Sequence, residues 1–322
     1  MTRSGEFDWI SRHLAPLASE DSFGLKDDAA LLAVPAGARL CITQDAILEG
    51  VHFLRSDPSE TVARKALLVN ISDCIAKGAT PYAYSLALGM PDHWQDSDMA
   101  AFAKGLQQEQ QEFGLKLTGG DTYRSPDRLN VSVTMLGLLT DGTPYVSRLG
   151  ANSGDILCVS GTIGDAAIGL KVALGEIKTK HDGHFLQAYQ VPLPPKGFEQ
   201  VTALASASMD ISDGLLGDAR KLAVASDIAI DIDRAAIPLS PQTTLLVEMD
   251  ANHWETVLSG GDDYQCLFAL APQKLAQARS IAAKIDVSFA EIGQITEKSS
   301  QSVSLTMDGV PVSGERESFS HF

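Results

Sequence analysis

The stretch Val69-Asn70-Ile71-Ser72-Asp73 is the phrase around which the chain is organised, because it occurs twice. A near copy, Met209-Asp210-Ile211-Ser212-Asp213, begins 140 residues later, and a Gly-Gly-Asp phrase follows each copy, at Gly119–Asp121 and Gly260–Asp262. The final aspartates of the two phrases are 48 residues apart in the first half and 49 in the second. The same order at nearly the same interval predicts an internal duplication with a shared site. The alternative is ordinary capping and turn chemistry.

Length and charge limit the possible classes of protein. A chain of 322 residues predicts two domains, and turn residues between 142 and 152 place the first over residues 1–148 and the second over 149–322. Hydrophobic residues make up 44% of the chain and charged residues 20%, which is typical of a globular protein. The formal net charge of −16 argues against a nucleic-acid partner, whose phosphates would be repelled.

No stretch of the sequence reads as a membrane or export segment. There is no run of 18 apolar residues, and the N-terminal residues lack the apolar core of a signal peptide. The cysteines are scattered through apolar segments without a Cys-x-x-Cys pair, so we expect small buried side chains in a reduced compartment. These are Cys41, Cys74, Cys158 and Cys266. Cytoplasm is the expected location, and no membrane partner is expected.

Strand and helix signals alternate in both halves, which predicts an α/β fold built of α+β layers. In the first half, apolar spacing predicts helices over Glu60–Lys77 and from about Ser97 to Gly114. Alternation over Leu129–Leu139 predicts a long strand that can pair with a partner subunit. The apolar run Ala29–Val34 is interpreted as a strand that holds the preceding acids in place.

Polar residues of the first phrase share one face of its predicted helix. Asn70, Asp73 and Lys77 are three, four and seven residues apart in an otherwise apolar segment. Burying such a stripe is costly unless each group is satisfied. The face is interpreted as turned toward a metal cluster, with an ion pair between Asp73 and Lys77 as the alternative.

The second half contains two candidate anion sites at helix starts. The glycines of Gly161–Asp165 join a strand to a helix, which indicates either a phosphate site or a plain tight turn. Ser212 is expected to cap a helix that begins at Asp213 or Gly214, where amide dipoles would face a phosphate.

Common catalytic motifs are absent from the sequence, and aspartates remain. There is no Gly-x-x-x-x-Gly-Lys-Ser/Thr, no Gly-x-Gly-x-x-Gly after a strand, no His-Glu-x-x-His and no zinc-like Cys/His spacing. The candidate acids at loop and helix starts are Asp28, Asp45, Asp73, Asp121, Asp210 and Asp213. Converging carboxylates repel one another without cations, and oxygen-only ligands favour Mg²⁺ or Ca²⁺. The pattern therefore predicts metal-assisted phosphoryl transfer without a covalent intermediate.

Seven ordered motifs carry a resemblance to a known family. They are Leu25-Lys-Asp-Asp-Ala-Ala-Leu-Leu, Thr43-Gln-Asp45, Gly50-Val-His-Phe, Lys65 to Asp73, Gly119-Gly-Asp-Thr122, Met209 to Leu215 and Gly260-Gly-Asp-Asp-Tyr264. Together they resemble the thiamine-monophosphate kinase family over nearly the whole chain. That family belongs to the PurM-like (aminoimidazole-ribonucleotide synthetase-like) superfamily. The resemblance implies two PurM-like α/β domains and a homodimer whose N-terminal domains pair through their sheets.

The resemblance also implies a reaction and a set of site residues. The reaction is Mg²⁺-dependent transfer of the ATP γ-phosphoryl group to thiamine monophosphate, giving thiamine diphosphate and ADP by metal and positioning, with no catalytic side chain assigned. The magnesium residues would be Asp28, Thr43, Gln44, Asp45, Asp73, Asp121, Asp210 and Asp213. ATP would contact Gly120, Asp121, Arg148 and Ser212, and the thiamine substrate would contact His52, Asp262 and Arg316.

Departures from the family pattern are concentrated at the acceptor side. Gln44 replaces a hydroxyl residue at the metal, and Asp262 and Gln265 each replace a glutamate. Lys26 replaces a glycine, and Arg316 replaces an aromatic residue expected to stack on thiamine. The alternatives are another ATP-using PurM-like synthetase or a non-catalytic nucleotide or metal sensor. For His52 the alternative is a structural role, which is the more common one for a lone histidine beside an aromatic residue.

Overall fold

Two compact units make up the chain in the structure, a computed structural model that describes residues 5–307 and 310–311. The first unit contains the described residues up to Cys74 together with Ala79–Thr143. The second contains Ile75–Gly78 and the described residues from Pro144 onward. The division after Thr143 lies five residues before the predicted boundary at 148. The assignment of Ile75–Gly78 to the second unit has no counterpart in the sequence pattern.

The first unit contains one mixed sheet and its covering helices. Its elements are α1 (Glu6–Trp9), β1 (Arg39–Leu48), α2 (Ser59–Ala76), β2 (Thr80–Met90), α3 (Asp96–Phe113), β3 (Lys116–Arg124) and β4 (Asn130–Leu139). Among the described residues the strand order is β1-β4-β2-β3. Strands β2 and β3 run parallel, with α3 as the crossover between them, whereas β4 pairs antiparallel with both β1 and β2.

Helix α2 is buried on nearly all sides, which agrees with its apolar sequence. Its packing requires glycines on the neighbouring elements. A Cβ at Gly105 of α3 would overlap the backbone carbonyl of Glu60, and a Cβ at Gly137 of β4 would lie 3.0 Å from the Cys74 sulfur. The predicted helices at 60–77 and 97–114 are confirmed, and Gly114 ends α3 with a left-handed φ of +67°.

Two predictions for strands of the first unit are wrong. Residues 29–34 form no strand, and β1 begins only at Arg39. The strand predicted over 129–139 is present as β4, but it lies between β1 and β2. Both of its edges are therefore already hydrogen-bonded, so β4 cannot extend a partner's sheet. The alternation instead separates its two faces, with every second residue buried against the core.

The second unit has a larger mixed sheet with helices around it. Its strands are β5 (Ile156–Ser160), β6 (Ala207–Asp210), β7 (Ala229–Asp233), β8 (Cys266–Leu270), β9 (Phe289–Thr296), β10 (Val303–Met307) and β11 (Val310–Pro311). Its helices are α4 (Asp165–Ala173), α5 (Asp182–Gln190), α6 (Glu199–Thr202), α7 (Leu215–Ser226), α8 (Pro241–Met249), α9 (His253–Ser259) and α10 (Leu275–Lys284). In the part of the chain described, the strand order is β11-β10-β7-β9-β5-β8-β6.

The core of the second unit lies between this sheet and α4, α7 and α9. Leu157, Leu215 and Leu267 are fully buried members of one apolar cluster. Three aromatic rings, those of Phe198, Phe268 and Phe289, meet edge to face with centroids 5.5–6.3 Å apart. The mixed α/β character of both units confirms the predicted fold class.

The cysteines lie inside the units, as the sequence predicts. All four are buried thiols that take part in no disulfide with another described residue. Burial raises the pKa of the Cys74 thiol well above its usual value and that of Cys158 to about 12. Among the residues that the structure describes, no helix is both long and apolar enough to cross a membrane.

Candidate functional site

Strand β1 and helix α2 bring together part of the predicted metal set. Thr43 and Asp45 are two residues apart on β1 and therefore project from the same face. The hydroxyl of Thr43 donates a hydrogen bond to the carboxylate of Asp73 on α2. The backbone amide of Asp45 donates to Oδ1 of Asn70 at 3.0 Å, and Nδ2 of Asn70 donates to the Ala66 carbonyl at 3.0 Å. Asn70 thus fixes the strand to the helix beside the acids.

Gln44 lies on the other face of β1. Its side chain is exposed, and its Nε2 donates to Oγ of Ser132 at 3.2 Å. A metal ion bound on the Asp45 face could reach Gln44 only through the backbone carbonyl. The role predicted for Gln44 at the metal stays a prediction, and the placement of its side chain argues for main-chain rather than side-chain coordination.

A cavity of about 460 Å³ in the first unit is lined by both Asp28 and Asp121. Gly119 and Gly120 also line it, and they lie inside β3 rather than in a loop. A Cβ at Gly120 would overlap the carbonyl oxygen of Leu86 on the neighbouring strand. Gly120 therefore allows β3 to approach β2 closely while Asp121 faces the cavity.

The predicted convergence of aspartates is seen only in small groups. Thr43, Asp45 and Asp73 form one, and Asp28 with Asp121 forms another. Over residues 5–307 and 310–311, no three Asp, Glu, His or Cys side chains are arranged as a metal-binding cluster. The magnesium assignment therefore stays a prediction.

In the second unit, the second phrase lies on a strand end and a loop. Asp210 ends β6 and is nearly buried, and residues 211–214 lead into α7 at Leu215. Ser212 does not cap the helix, contrary to the sequence-based expectation, because Gly214 occupies the cap position. The backbone amides of Ser212 and Asp213 instead donate to Oδ2 of Asp218, each at 2.9 Å.

Asp218 and Lys221 form a charged pair beneath this loop. The Asp218 side chain is fully buried, and Nζ of Lys221 donates to its Oδ1 at 2.7 Å and also to the Asp213 carboxylate. Burial raises the pKa of Asp218, although the hydrogen bond from Lys221 opposes that rise. Burial lowers the pKa of Lys221, but its bonds to Asp213 and Asp218 outweigh burial and raise it.

The Gly-Gly-Asp loop of the second unit packs directly on this segment. The amides of Asp262 and Tyr264 donate to the carbonyls of Ser212 and Ile211 at 3.0 and 2.8 Å. A Cβ at Gly261 would overlap the Ser212 carbonyl. The two phrases of the second half are therefore in contact.

The two copies of the repeated phrase occupy different structural contexts. Residues 69–73 are helical and residues 119–121 belong to a strand, whereas their counterparts in the second unit form a strand end and loops. The two copies have similar residue types but different backbone conformations. The interpretation as an internal duplication is therefore wrong for the local structure at these positions.

Asp262 and its neighbours have distinctive backbone and hydrogen-bonding features. Asp262 has a left-handed φ of +71°, and the Tyr264 hydroxyl donates to its carboxylate at 3.3 Å. Gln265 accepts a hydrogen bond from Ser160 Oγ at 2.9 Å and donates to the Leu193 carbonyl at 3.0 Å. Gln265 is thus engaged within the second unit.

The phosphate interpretation of residues 161–165 is wrong. The amide of Gly164, at the start of α4, lies 3.0 Å from both carboxylate oxygens of buried Asp263. A protein carboxylate therefore occupies the position that a phosphate would need. The tight-turn alternative is correct.

The remaining predicted residues have varied surroundings. Nδ1 of His52 accepts the Leu48 amide at 3.1 Å, so the imidazole stabilises the turn after β1. Arg148 is exposed, and its carbonyl accepts Ser226 Oγ at 2.7 Å. Arg316 lies outside the described residues.

Sequence reasoning did not identify Asp218, Lys221 or Asp263 as important residues. Asp218 follows the phrase by five positions and fits an ordinary first helical turn, so only its buried contacts distinguish it. Asp263 directly follows the predicted substrate residue Asp262, and its burial and its contact with the Gly164 amide are not visible in the sequence.

Known proteins match the chain over both halves. The family described as AIR synthase related protein, N-terminal domain, matches residues 26–139, and the C-terminal domain of that family matches residues 152–306. A thiamine-monophosphate kinase from Caulobacter vibrioides is 40% identical over 298 residues, which are 91% of this chain and 84% of that protein.

Solved structures give the same result. The crystal structure of thiamine-monophosphate kinase from Stenotrophomonas maltophilia K279a has a TM-score of 0.81 and 32% identity, covering 95% of this chain and 96% of that one. A structure of AaThiL complexed with AMPPCP and TMP has a TM-score of 0.77 and 32% identity, covering 100% and 99%.

Proposed function

The chain belongs to the thiamine-monophosphate kinase family, and we propose that it transfers the γ-phosphoryl group of ATP to thiamine monophosphate, giving thiamine diphosphate and ADP. The observation that carries the proposal is 40% identity over 91% of the chain to a protein of that name. A structural neighbour at 32% identity is complexed with AMPPCP and TMP, which supports both substrates.

The donor set of the first unit fits a hard divalent cation. The side chains available are the Thr43 hydroxyl and the carboxylates of Asp45, Asp73, Asp28 and Asp121. Oxygen donors of this kind suit magnesium better than zinc. Magnesium bound at these residues would neutralise the phosphate oxygens during transfer. Asp210 and Asp213, in the second unit, are the other carboxylates that the family resemblance assigns to magnesium.

The residues of the second unit suit the binding of nucleotide. Ser212 and Asp213 have backbones fixed by Asp218, and the Ser212 hydroxyl and Arg148 guanidinium would contact ATP phosphates. The family resemblance assigns His52, Asp262 and Arg316 to the binding of thiamine monophosphate. The acceptor phosphate oxygen attacks the γ-phosphorus as the bond to the β–γ bridging oxygen breaks, so no phosphoenzyme forms.

A coupled assay of ADP release tests the reaction. We expect ADP to form only when ATP, magnesium and thiamine monophosphate are all present, with thiamine diphosphate in equal amount. Thiamine without its phosphate serves as the matched acceptor control. Radiolabelled ATP should leave no label on the protein. Acceptor-independent ADP release, or turnover unaffected by a chelator, would contradict the proposal.

The same family membership supports a homodimer that pairs through the sheets of the first units. Leu40 and Ile42 on β1 are 41% and 66% exposed, and they lie opposite Leu138 and Leu136 of β4 on the same face. This apolar face suits a self-complementary interface. Light scattering should report a dimer that Ile42→Glu dissociates, whereas Leu174→Glu, at an exposed residue of the second unit, should leave it intact. A monomeric parent would contradict this.

A further inference from the structure

We propose that Asp218 is a positioning residue for nucleotide binding, acting through the Ser212–Asp213 segment. The inference rests on the proposed function, because it takes that segment as part of the site for ATP and magnesium. Asp218 would touch neither ligand. Its role is to hold two consecutive backbone amides so that the side chains of Ser212 and Asp213 are presented in one arrangement.

The carboxylate of Asp218 is at the centre of the loop's hydrogen bonding. Its Oδ2 accepts the amides of Ser212 and Asp213, both at 2.9 Å, and its Oδ1 accepts Nζ of Lys221 at 2.7 Å. The side chain is fully buried, and its own amide donates to the Gly214 carbonyl at 3.0 Å in the first turn of α7. One side chain therefore connects the loop to helix α7.

The opposite edge of the same segment is also fixed. The carbonyls of Ile211 and Ser212 accept the amides of Tyr264 and Asp262. The amides of Ser212 and Asp213 are thus hydrogen-bonded to Asp218, and the carbonyls of Ile211 and Ser212 are hydrogen-bonded to the Gly-Gly-Asp loop. These bonds leave the backbone of the segment little freedom. A loop that only needed to turn would not need a buried charge, because burying a carboxylate is costly unless it is fully hydrogen-bonded.

Lys221 connects the buried and the functional carboxylates. Its ammonium donates to both Asp218 and Asp213, and it is about two-fifths exposed whereas Asp218 is not exposed at all. This arrangement sets the direction of the Asp213 carboxylate as well as its backbone. Lys221 therefore acts together with Asp218 in positioning the Ser212–Asp213 segment.

Asp218→Asn tests the proposal with almost no change of shape. The remaining amide oxygen can accept the two backbone amides more weakly, but the new NH₂ group faces the Lys221 ammonium. Since hydrogen bonds to a charged group are stronger, we expect the KM for ATP and the Kd for AMPPCP with magnesium chloride to rise roughly 10- to 100-fold. The KM for thiamine monophosphate should stay within about twofold.

Two companion variants control the measurement. Asp218→Asn combined with Lys221→Gln places an amide against an amide, so nucleotide affinity should recover toward the parent value. Asp227→Asn makes the same substitution at the exposed Asp227–Lys298 pair beyond the other end of α7, where nucleotide affinity should not change.

Hydrogen exchange at the amides of Ser212 and Asp213 separates positioning from general stability. In every variant that folds, including the double variant if Asp218→Asn alone does not, nucleotide Kd should rise as protection of these two amides falls. Protection lost by tenfold or more with an unchanged Kd would overturn the proposal, as would a raised Kd with unchanged protection. Because AMPPCP binding does not depend on the acceptor, a parent that fails to phosphorylate thiamine monophosphate would refute the proposed function alone.

Discussion

Thr43 on β1 donates its hydroxyl hydrogen to the carboxylate of Asp73 on α2, joining two residues that are 30 positions apart. This bond places a strand side chain and a helix side chain at one point of the proposed magnesium site. It also lets substitutions separate what the carboxylate does for the fold from what it does for a cation.

Asp73→Asn should impair turnover far more than stability. The amide oxygen can still accept from Thr43, so the free energy of unfolding should fall by no more than about 1 kcal/mol. Loss of an anionic ligand should lower kcat at least ~100-fold, about 2.7 kcal/mol of barrier. Urea unfolding and the ADP assay measure the two effects.

Thr43→Val is the matched comparison. It removes the donor and keeps the shape of the side chain, which should cost about 1 kcal/mol of stability while leaving the Asp73 charge in place. The half-saturating magnesium concentration should therefore rise less than in Asp73→Asn. Near-normal turnover in Asp73→Asn would show that Asp73 is structural.

Gly120→Ala should destabilise the first unit, whereas Gly119→Ala should have a smaller effect. A Cβ at Gly120 overlaps the Leu86 carbonyl, but a Cβ at Gly119 has no heavy atom within 4 Å. Forcing β2 and β3 apart should cost roughly 3 kcal/mol, near the upper end for overpacking. Denaturant unfolding of both variants checks this prediction. Equal losses of stability would mean that the backbone conformation of the two glycines, rather than the close approach of β3 to β2, determines the effect.

Asp262→Asn should raise the KM for thiamine monophosphate and leave the KM for ATP nearly unchanged. Asparagine tolerates the left-handed backbone at this position, so the variant tests charge rather than conformation. Tyr264→Phe is the companion change, because it removes the hydroxyl that donates to Asp262. A parallel rise of both KM values would place Asp262 on the nucleotide side.

Asp263 should make the protein less stable as pH rises. Burial raises the pKa of Asp263 well above its ordinary value, with nearby Asp165 and Asp262 contributing, although the Gly164 amide opposes the rise. Above about pH 3.9 the unfolded chain loses this proton while the folded protein keeps it. The unfolded state then binds fewer protons, so the free energy of unfolding falls with increasing pH until the folded pKa is reached.

Asp263→Asn removes that titration and keeps an oxygen for the Gly164 amide. Compared with the variant, the parent should lose stability as pH rises above about 3.9. Urea unfolding at several pH values provides the test. If the unfolding free energies of the parent and of Asp263→Asn change with pH in parallel, the raised pKa of Asp263 is contradicted.

The cysteines should be inert in the folded protein. Burial raises the pKa of Cys74, Cys158 and Cys266, so the reactive thiolate is scarce. A thiol reagent at pH 8 should modify almost none of them in native protein and all four after denaturation. Rapid modification of the native protein would show that its interior opens.

Elements with a strong periodic pattern could be predicted from the sequence. Helix α3 follows from its apolar spacing and from Gly114, and β4 follows from strict alternation over 130–139. The apolar run at 29–34 lacks such alternation, and an apolar run alone does not distinguish a strand from irregular chain.

The hydrogen bonds that connect the site residues to one another could not be predicted in the same way. Ile-Ser-Asp is compatible with a buried helix at 71–73 and with a loop at 211–213, because tertiary packing decides between them. The link from Asn70 to the Asp45 amide and the loop support by Asp218 depend on contacts across the fold. No local pattern marks such contacts.

The placement of β1 has a consequence for how the chain is made. Arg39 pairs with Leu139, so the first strand of the sheet joins its only described neighbour a hundred residues later. At translation rates of about 5–20 residues per second, β1 waits on the order of 5–20 s for β4 to be synthesised. We expect the nascent first half to need protection from aggregation during that interval, and pairing at such long range to make its folding slow.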